Sequence, residues 1–288
     1  MTPQAQPVGS RVSKWGEGPV WWNNRLAYVD IEGHAIVSFD PETGREEIRE
    51  LDQRVGFALP CASGRWIWGG DHGLFMLDPD TGASTPIADP EADKPNNRFN
   101  DANISPDGRL FAGTIALDKT PGGAALYRLE NRLRCETAFP AVTNSNGIVW
   151  SVDGDVCFYI DTPTRKVLRF DYCDQTGCLD DPQPVIDTDP VIDASPDGMC
   201  IDTDNRLWIA FCHGACVIQF DPATGEPLQR FDVPCLETTS CCFGGPGLRD
   251  LYITTGIHKE KNEEHAGRLF VVKNPGPTGC PQVPFKDR

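Results

Sequence analysis

One motif recurs along this chain: an apolar strand, a polar turn and a second apolar strand. The recurring second strand is anchored by Leu26 in RLAYVD, Trp66 in RWIWGG, Leu110 in RLFAGT, Val156 in DVCFYID, Leu207 in RLWIAF and Leu251 in DLYITT, roughly 40–50 residues apart, the period of propeller blades. A unit of this size cannot bury both faces of its strands alone, so neighbouring units must stack on one another. No segment carries a helical apolar stripe, and β-branched and aromatic residues alternate in short runs such as Val217-Ile218-Gln219-Phe220. One turn is copied three times, at Asp40-Pro41-Glu42-Thr43-Gly44, Asp78-Pro79-Asp80-Thr81-Gly82 and Asp221-Pro222-Ala223-Thr224-Gly225. Proline presets the turn dihedral, the aspartate caps the backbone and glycine takes the left-handed position. The expected fold is all-β, a six-bladed β-propeller, with residues 1–288 forming a single domain.

Stepping back nine or ten residues from each anchor reaches Glu17, Gly56, Asn100, Asn146, Asp197 and then Cys241 or Cys242. Equivalent points of radially arranged units converge on one axis, so two carboxylates and two amides should meet there as a metal or substrate site. The same phase separates two copies of Ser-Pro-Asp-Gly. Asp107 lies three residues before Leu110, at the hairpin turn, whereas Asp197 lies ten before Leu207, at the convergent point. Asp107 is therefore expected to be structural and Asp197 functional.

The net charge of −16 argues against a nucleic-acid partner, which demands a basic surface, and against an anionic membrane face. No run approaches the ~20 apolar residues needed to span a bilayer, and the first residues lack the apolar core of a signal peptide, so a cytoplasmic location is expected. Twelve cysteines form neither a paired zinc motif nor a compact disulfide framework. They are expected to be reduced and mostly buried, with a Cys173–Cys178 bridge as the alternative in an exported protein. Cys212-His213-Gly214-Ala215-Cys216 comes nearest to a soft-metal cluster, but alternation along a strand should send its members to opposite faces. A nucleophile elbow, an HExxH helix and a phosphate-cradling glycine loop are all missing from the sequence.

Five segments carry a family resemblance: Gly16-Glu17-Gly18-Pro19-Val20-Trp21, Asn96-Asn97-Arg98-Phe99-Asn100-Asp101, Ser145-Asn146-Gly147-Ile148-Val149-Trp150-Ser151, Pro196-Asp197-Gly198-Met199-Cys200-Ile201-Asp202 and Thr238-Thr239-Ser240-Cys241-Cys242-Phe243-Gly244-Gly245. In order and spacing the chain resembles the SMP-30/gluconolactonase/regucalcin family over residues 15 to 273. The resemblance implies a six-bladed propeller that holds one divalent cation near the mouth of its channel and hydrolyses sugar lactones. Matched position by position, it implies Glu17, Asn146 and Asp197 as metal ligands. It places Asn100 near the substrate, with Arg98 and Asp101 beside it, and Asp118 where the family often has a glutamate that contacts a sugar hydroxyl.

Oxygen donors of this kind suit Ca²⁺, Mg²⁺ or Mn²⁺, and Zn²⁺ also accepts carboxylates. Asp197 would serve as ligand and as general base, and Arg98 would meet ring or chain oxygens. Arg98 and Asn100 are expected to handle substrate without touching cation affinity. The expected partner is a small-molecule sugar lactone, and the expected assembly a monomer or weak homodimer. A calcium-binding regulatory propeller without turnover and a plain interaction platform are the competing readings.

Overall fold

The computed structural model describes residues 4–130 and 133–288. Six four-stranded antiparallel sheets stand around one axis as the blades of a propeller. The first strand of each blade lies innermost: Gly16–Trp22, Val55–Pro60, Asn97–Ile104, Ser145–Trp150, Ser195–Ile201 and Thr238–Gly244. After a turn of two residues in blade 1 and five in the others the chain returns as the second strand, and the outermost strands include polar ones such as Glu46–Glu50 and Pro227–Asp232. Second strands are sandwiched between blades. That is why Leu207–Cys212 is buried throughout and reads as an unbroken apolar run, whereas outer strands expose alternate or most residues.

The ring is closed by a strand exchange. Blade 6 takes its first three strands from Thr238–Gly244, Asp250–Thr255 and Leu269–Val272, and its outer strand from the other end of the chain, Gln6–Val8. Gln6, Pro7 and Val8 pair with Val271, Phe270 and Leu269. Seams between blades are packed with aromatic rings. Trp208 of blade 5 meets Phe243 of blade 6 edge-on at 5.3 Å, Phe111 of blade 3 lies 5.2 Å from Trp150 of blade 4, and Trp21 of blade 1 stacks on Tyr252 of blade 6 at 5.7 Å. Such pairs add about 0.5–1.5 kcal/mol each beyond the area they bury.

The three DPxTG turns form as expected. The Oδ1 atoms of Asp40, Asp78 and Asp221 accept backbone N–H groups two residues on, and Gly44, Gly82 and Gly225 take positive φ. Asp107 is likewise a turn residue, accepting bonds from Ser105 Oγ, Arg109 and the Tyr172 hydroxyl of the next blade. All twelve cysteines are free, and Cys173 and Cys178 are register partners across a polar turn. Among the described residues no helix is long and apolar enough to cross a membrane.

After the last strand the chain crosses the face where inner strands end. Phe285 is fully buried and is held to blade 2 by Phe285 N to Pro60 O at 2.9 Å and Ala62 N to Phe285 O at 2.8 Å. Gln282 donates to Asn103 Oδ1 at 3.1 Å. This tail covers one end of the channel and leaves the other as the mouth.

Packing at the axis presses backbone against backbone at Gly56. A Cβ there would fall 2.4 Å from Phe99 O and 2.5 Å from Asn100 O of the neighbouring blade. Gly56→Ala should therefore push two inner strands apart and cost about 1–3 kcal/mol, the usual penalty of overpacking. A urea melt should show a lower midpoint with an unchanged slope; an unchanged midpoint would mean that these strands are not clamped at this height.

Candidate functional site

Every inner strand is irregular at the same height. Its pairing with the second strand shifts register between Glu17 and Val20, Val55 and Phe57, Phe99 and Ala102, Asn146 and Ile148, Pro196 and Met199, and Thr238 and Ser240. A bulge adds one residue, turns the strand and re-aims its side chains. Glu17, Asn100, Asn146 and Asp197 stand in or beside these bulges. All four line one cavity of about 570 Å³ at the mouth, together with Arg98. The shared phase in the sequence therefore does correspond to convergence in space.

The sixth convergent residue is Thr239, not Cys241 or Cys242. Thr239 is fully buried, and its hydroxyl donates to Gly16 O at 2.5 Å, tying blade 6 to blade 1. Blade 6 pairs Ser240 through Gly244 beyond its bulge, where blade 5 pairs only Met199 through Ile201. A count back from Leu251 consequently stops two residues short. Cys241 and Cys242 lie further along, on a cavity of about 350 Å³ at the far end of the channel.

A chain of hydrogen bonds fixes the amides. Arg98 Nη1 donates to Phe99 O at 2.9 Å and to Asn100 Oδ1 at 2.7 Å. Asn100 Nδ2 in turn donates to Ser145 O at 2.8 Å and to Asn146 Oδ1 at 2.9 Å. Asn146 Nδ2 donates to Thr162 Oγ1 at 2.7 Å, and that hydroxyl donates to Pro196 O at 2.9 Å, next to Asp197. The network runs through three blades and sets the amide orientation of Asn146. Asn100, expected beside the substrate, thus holds the oxygen of a candidate metal ligand.

The carboxylates are buried with little compensation. Burial, with the charge of Asp101 behind it, pushes Glu17 up to about 8. Asp197 is raised well above the carboxylate range by burial and then by the charges of Glu17, Asp101 and Glu237. Arg98 is the nearby fixed cation, and burial pulls it down to about 10. Its Nε is buried without a hydrogen-bond partner among the described residues. Two carboxylates that repel each other beside an amide oxygen form a donor set suited to a hard divalent cation, which would remove the cost of their ionisation.

Asp101 and Asp118 stand elsewhere. Asp101 faces a narrow cavity deeper in the channel, with Gly18, Ile148 and Met199, and burial raises it to about 6. Asp118 is exposed on the loop after blade 3's second strand, where its Oδ1 caps the turn by accepting Thr120 N at 3.0 Å. The neighbouring Lys119, with φ 59°, lines the mouth instead. Asn144, Arg165, Cys212 and His213 also line it. Sequence periodicity does not reach Lys119, Asn144 and Arg165, which belong to the connections between strands and carry no repeat phase. Cys212 and His213 escape for another reason: the strand ends at Cys212 and His213 turns at φ 66°, so strict alternation stops there.

Comparison with known proteins agrees with this architecture. Residues 15–257 match the family model described as the SMP-30/Gluconolactonase/LRE-like region. Regucalcin of Danio rerio is 38% identical over 279 residues, covering 94% of each chain. YvrE of Bacillus subtilis (strain 168), provisionally named a sugar lactone lactonase, is 35% identical over 262 residues, covering 88% of this chain and 89% of its own. Among solved structures, a luciferin-regenerating enzyme superposes with a TM-score of 0.92 at 27% identity, covering 99% of both chains.

The Asn100–Asn146 bond generates a prediction that separates it from simple substrate contact. Asn100→Ala should weaken divalent-cation affinity by about 10–100-fold, the usual effect of removing a group that orients a ligand. Isothermal titration with Ca²⁺ and Mn²⁺ measures this directly. Wild-type affinity in that variant would show that Asn146 needs no help from its neighbour.

Proposed function

Because the chain belongs to the SMP-30/gluconolactonase/LRE-like family, we propose that it hydrolyses a sugar lactone to the aldonic acid in the cavity at the mouth of its channel. The observation that carries this reading is the convergence of Glu17, Asn146 and Asp197, with Arg98 and Asn100, on one cavity of about 570 Å³. That volume accommodates a monosaccharide-sized ligand. Glu17, Asn146 and Asp197 would hold one divalent cation; when bound, it supplies polarisation of the lactone carbonyl and stabilisation of the developing oxyanion.

The chain's own groups do the rest. Asp197 takes a proton from the attacking water as the water oxygen bonds to the carbonyl carbon. The ring C–O bond then breaks, and the proton passes from Asp197 to the departing ring oxygen, which leaves as a hydroxyl. Arg98 brings positive charge to the wall of the cavity and holds Asn100, which in turn orients Asn146. Lys119, Asn144 and Arg165 stand around the opening, where they would meet the sugar hydroxyls. The same oxygen donors would also suit calcium held without turnover, and a panel of aldonolactones assayed with each of several added metals separates that alternative.

The aspartates of the two Ser-Pro-Asp-Gly copies provide the decisive test. Asp197→Asn keeps the shape but removes charge and basicity, and should lower lactone turnover by at least ~100-fold, the lower end of general acid–base contributions. Asp107→Asn weakens the bonds to Arg109 and Tyr172, so its melting temperature should fall while turnover per folded molecule stays near wild type. Initial rates under saturating metal, paired with thermal melts, read both effects. Equal rates for the two variants would remove Asp197 from the chemistry.

A further inference from the structure

Beside the oxygen site stands a second donor cluster of different chemistry. An isolated antiparallel bridge joins Cys212, at the end of blade 5's second strand, to Glu237, just before blade 6's inner strand. Cys212 Sγ donates to Glu237 Oε2 at 2.9 Å, and His213 Nδ1 lies 3.0 Å from both oxygens of the same carboxylate. The three donor atoms all fall within 4.8 Å of one another. Glu237 is only 1% exposed, and its ion-pair partners among the described residues are His213 and His258, whose Nε2 lies 3.6 Å from Oε1. A buried carboxylate faced by two histidines, with no lysine or arginine at hand, lacks a fixed positive charge.

The geometry points to a zinc site formed by Cys212 Sγ, His213 Nδ1 and a carboxylate oxygen of Glu237, separate from the oxygen-donor site. Tetrahedral zinc bonds of about 2.0–2.3 Å set donors roughly 3.3–3.8 Å apart, so these atoms need only small displacements to enclose the ion. Thiolate, imidazole and carboxylate together favour Zn²⁺ over Ca²⁺ or Mg²⁺, whose preference is for oxygen alone. Three protein donors leave a fourth position open, and Cys212 and His213 both line the mouth cavity, so that position faces the solvent of the mouth. On binding, the Cys212 S–H bond breaks, its proton leaves to solvent and the sulfur lone pair bonds to zinc. His213 coordinates as the neutral ring with its hydrogen on the exposed Nε2. His258 stays outside the ligand set, since its Nδ1 accepts Glu260 N at 3.1 Å and its Nε2 therefore carries the hydrogen that faces Glu237.

Metal content and a thiolate signature test this without reference to lactone turnover. The full-length protein, stripped of metal and dialysed against Zn²⁺, should retain one more zinc per chain than its Cys212→Ser variant. Titration with Co²⁺ should raise a near-ultraviolet sulfur-to-cobalt charge-transfer band in the wild type. That band should vanish in Cys212→Ser and persist in Asp197→Asn, which distinguishes this site from the oxygen-donor one. His213→Ala alters an exposed side chain, so folding should survive, and zinc affinity should drop by at least about 10-fold, the smallest loss seen even for residues that merely support a ligand. No charge-transfer band in the wild type would overturn the assignment. So would a band that survives Cys212→Ser, or zinc uptake abolished by Asp197→Asn alone.

Discussion

Six inner strands can meet around one axis only if each bends away from its neighbours at the same height. The bulges supply that bend, and everything at the mouth depends on them. A regular strand would send successive side chains alternately into the two seams between blades. The added residue breaks that alternation and frees a side chain to face the channel. Four of the bulges contain glycine, at Gly18, Gly56, Gly147 and Gly198, and at the last three space is so limited that an added Cβ would collide with the next blade. At Gly198 a Cβ would sit 2.0 Å from Ser240 Oγ of the next blade, as Gly56 is pressed against the backbone of Phe99 and Asn100. Glu17, Asn100, Asn146 and Asp197 are the side chains that these bulges turn into the open mouth.

That arrangement carries an electrostatic burden. Glu17 and Asp197 are both nearly inaccessible, and each is pushed upward mainly by burial and then by neighbouring carboxylates. Arg98 offsets part of this, but it is buried too and spends its hydrogen bonds on Phe99 O and Asn100. A core designed for stability alone would replace such a group of like charges with apolar side chains, which often costs nothing or even stabilises. Their presence at the axis makes sense if something positive enters. The donor chemistry thus follows from the imbalance of charge as much as from the identity of the residues.

The sequence discloses those parts of the fold that repeat. The strand anchors, the DPxTG turns and the separation of Asp107 from Asp197 are all periodic features, and periodic features can be counted. Counting fails where one unit differs in length, as in blade 6, whose longer pairing moves the convergent point from Cys241 or Cys242 to Thr239. It is silent on side-chain direction in loops, so Asp118 and Lys119 exchange places: the carboxylate caps its own turn and Lys119 lines the mouth. Nor can it show that Asn100 holds Asn146, because that bond joins two blades and follows from their relative rotation, not from either strand alone. Alternation, finally, applies only while a strand lasts, and His213 lies one residue past its end.

Strands and connections consequently divide the work of the mouth. The inner strands are locked by aromatic seams and by bulges that tolerate no extra atoms, so the positions of Glu17, Asn146 and Asp197 are set by the architecture of the whole ring. Lys119, Asn144, Arg165 and His213 belong to connections at the rim, outside the main ladders of the blades, where loops vary more readily than strands. Hard oxygen donors therefore sit where the fold is rigid, and the softer cluster of Cys212, His213 and Glu237 sits where a strand end meets a connecting segment. A rigid centre suits a site that must present the same geometry at every turnover, because a small misplacement of reacting groups costs far more in rate than in binding. A rim assembled from the connections of three blades suits selection, since its groups can differ while the centre stays as it is. For the hydrolysis proposed above, the chemistry would thus be set by the strands, and the identity of the molecule accepted by the connections.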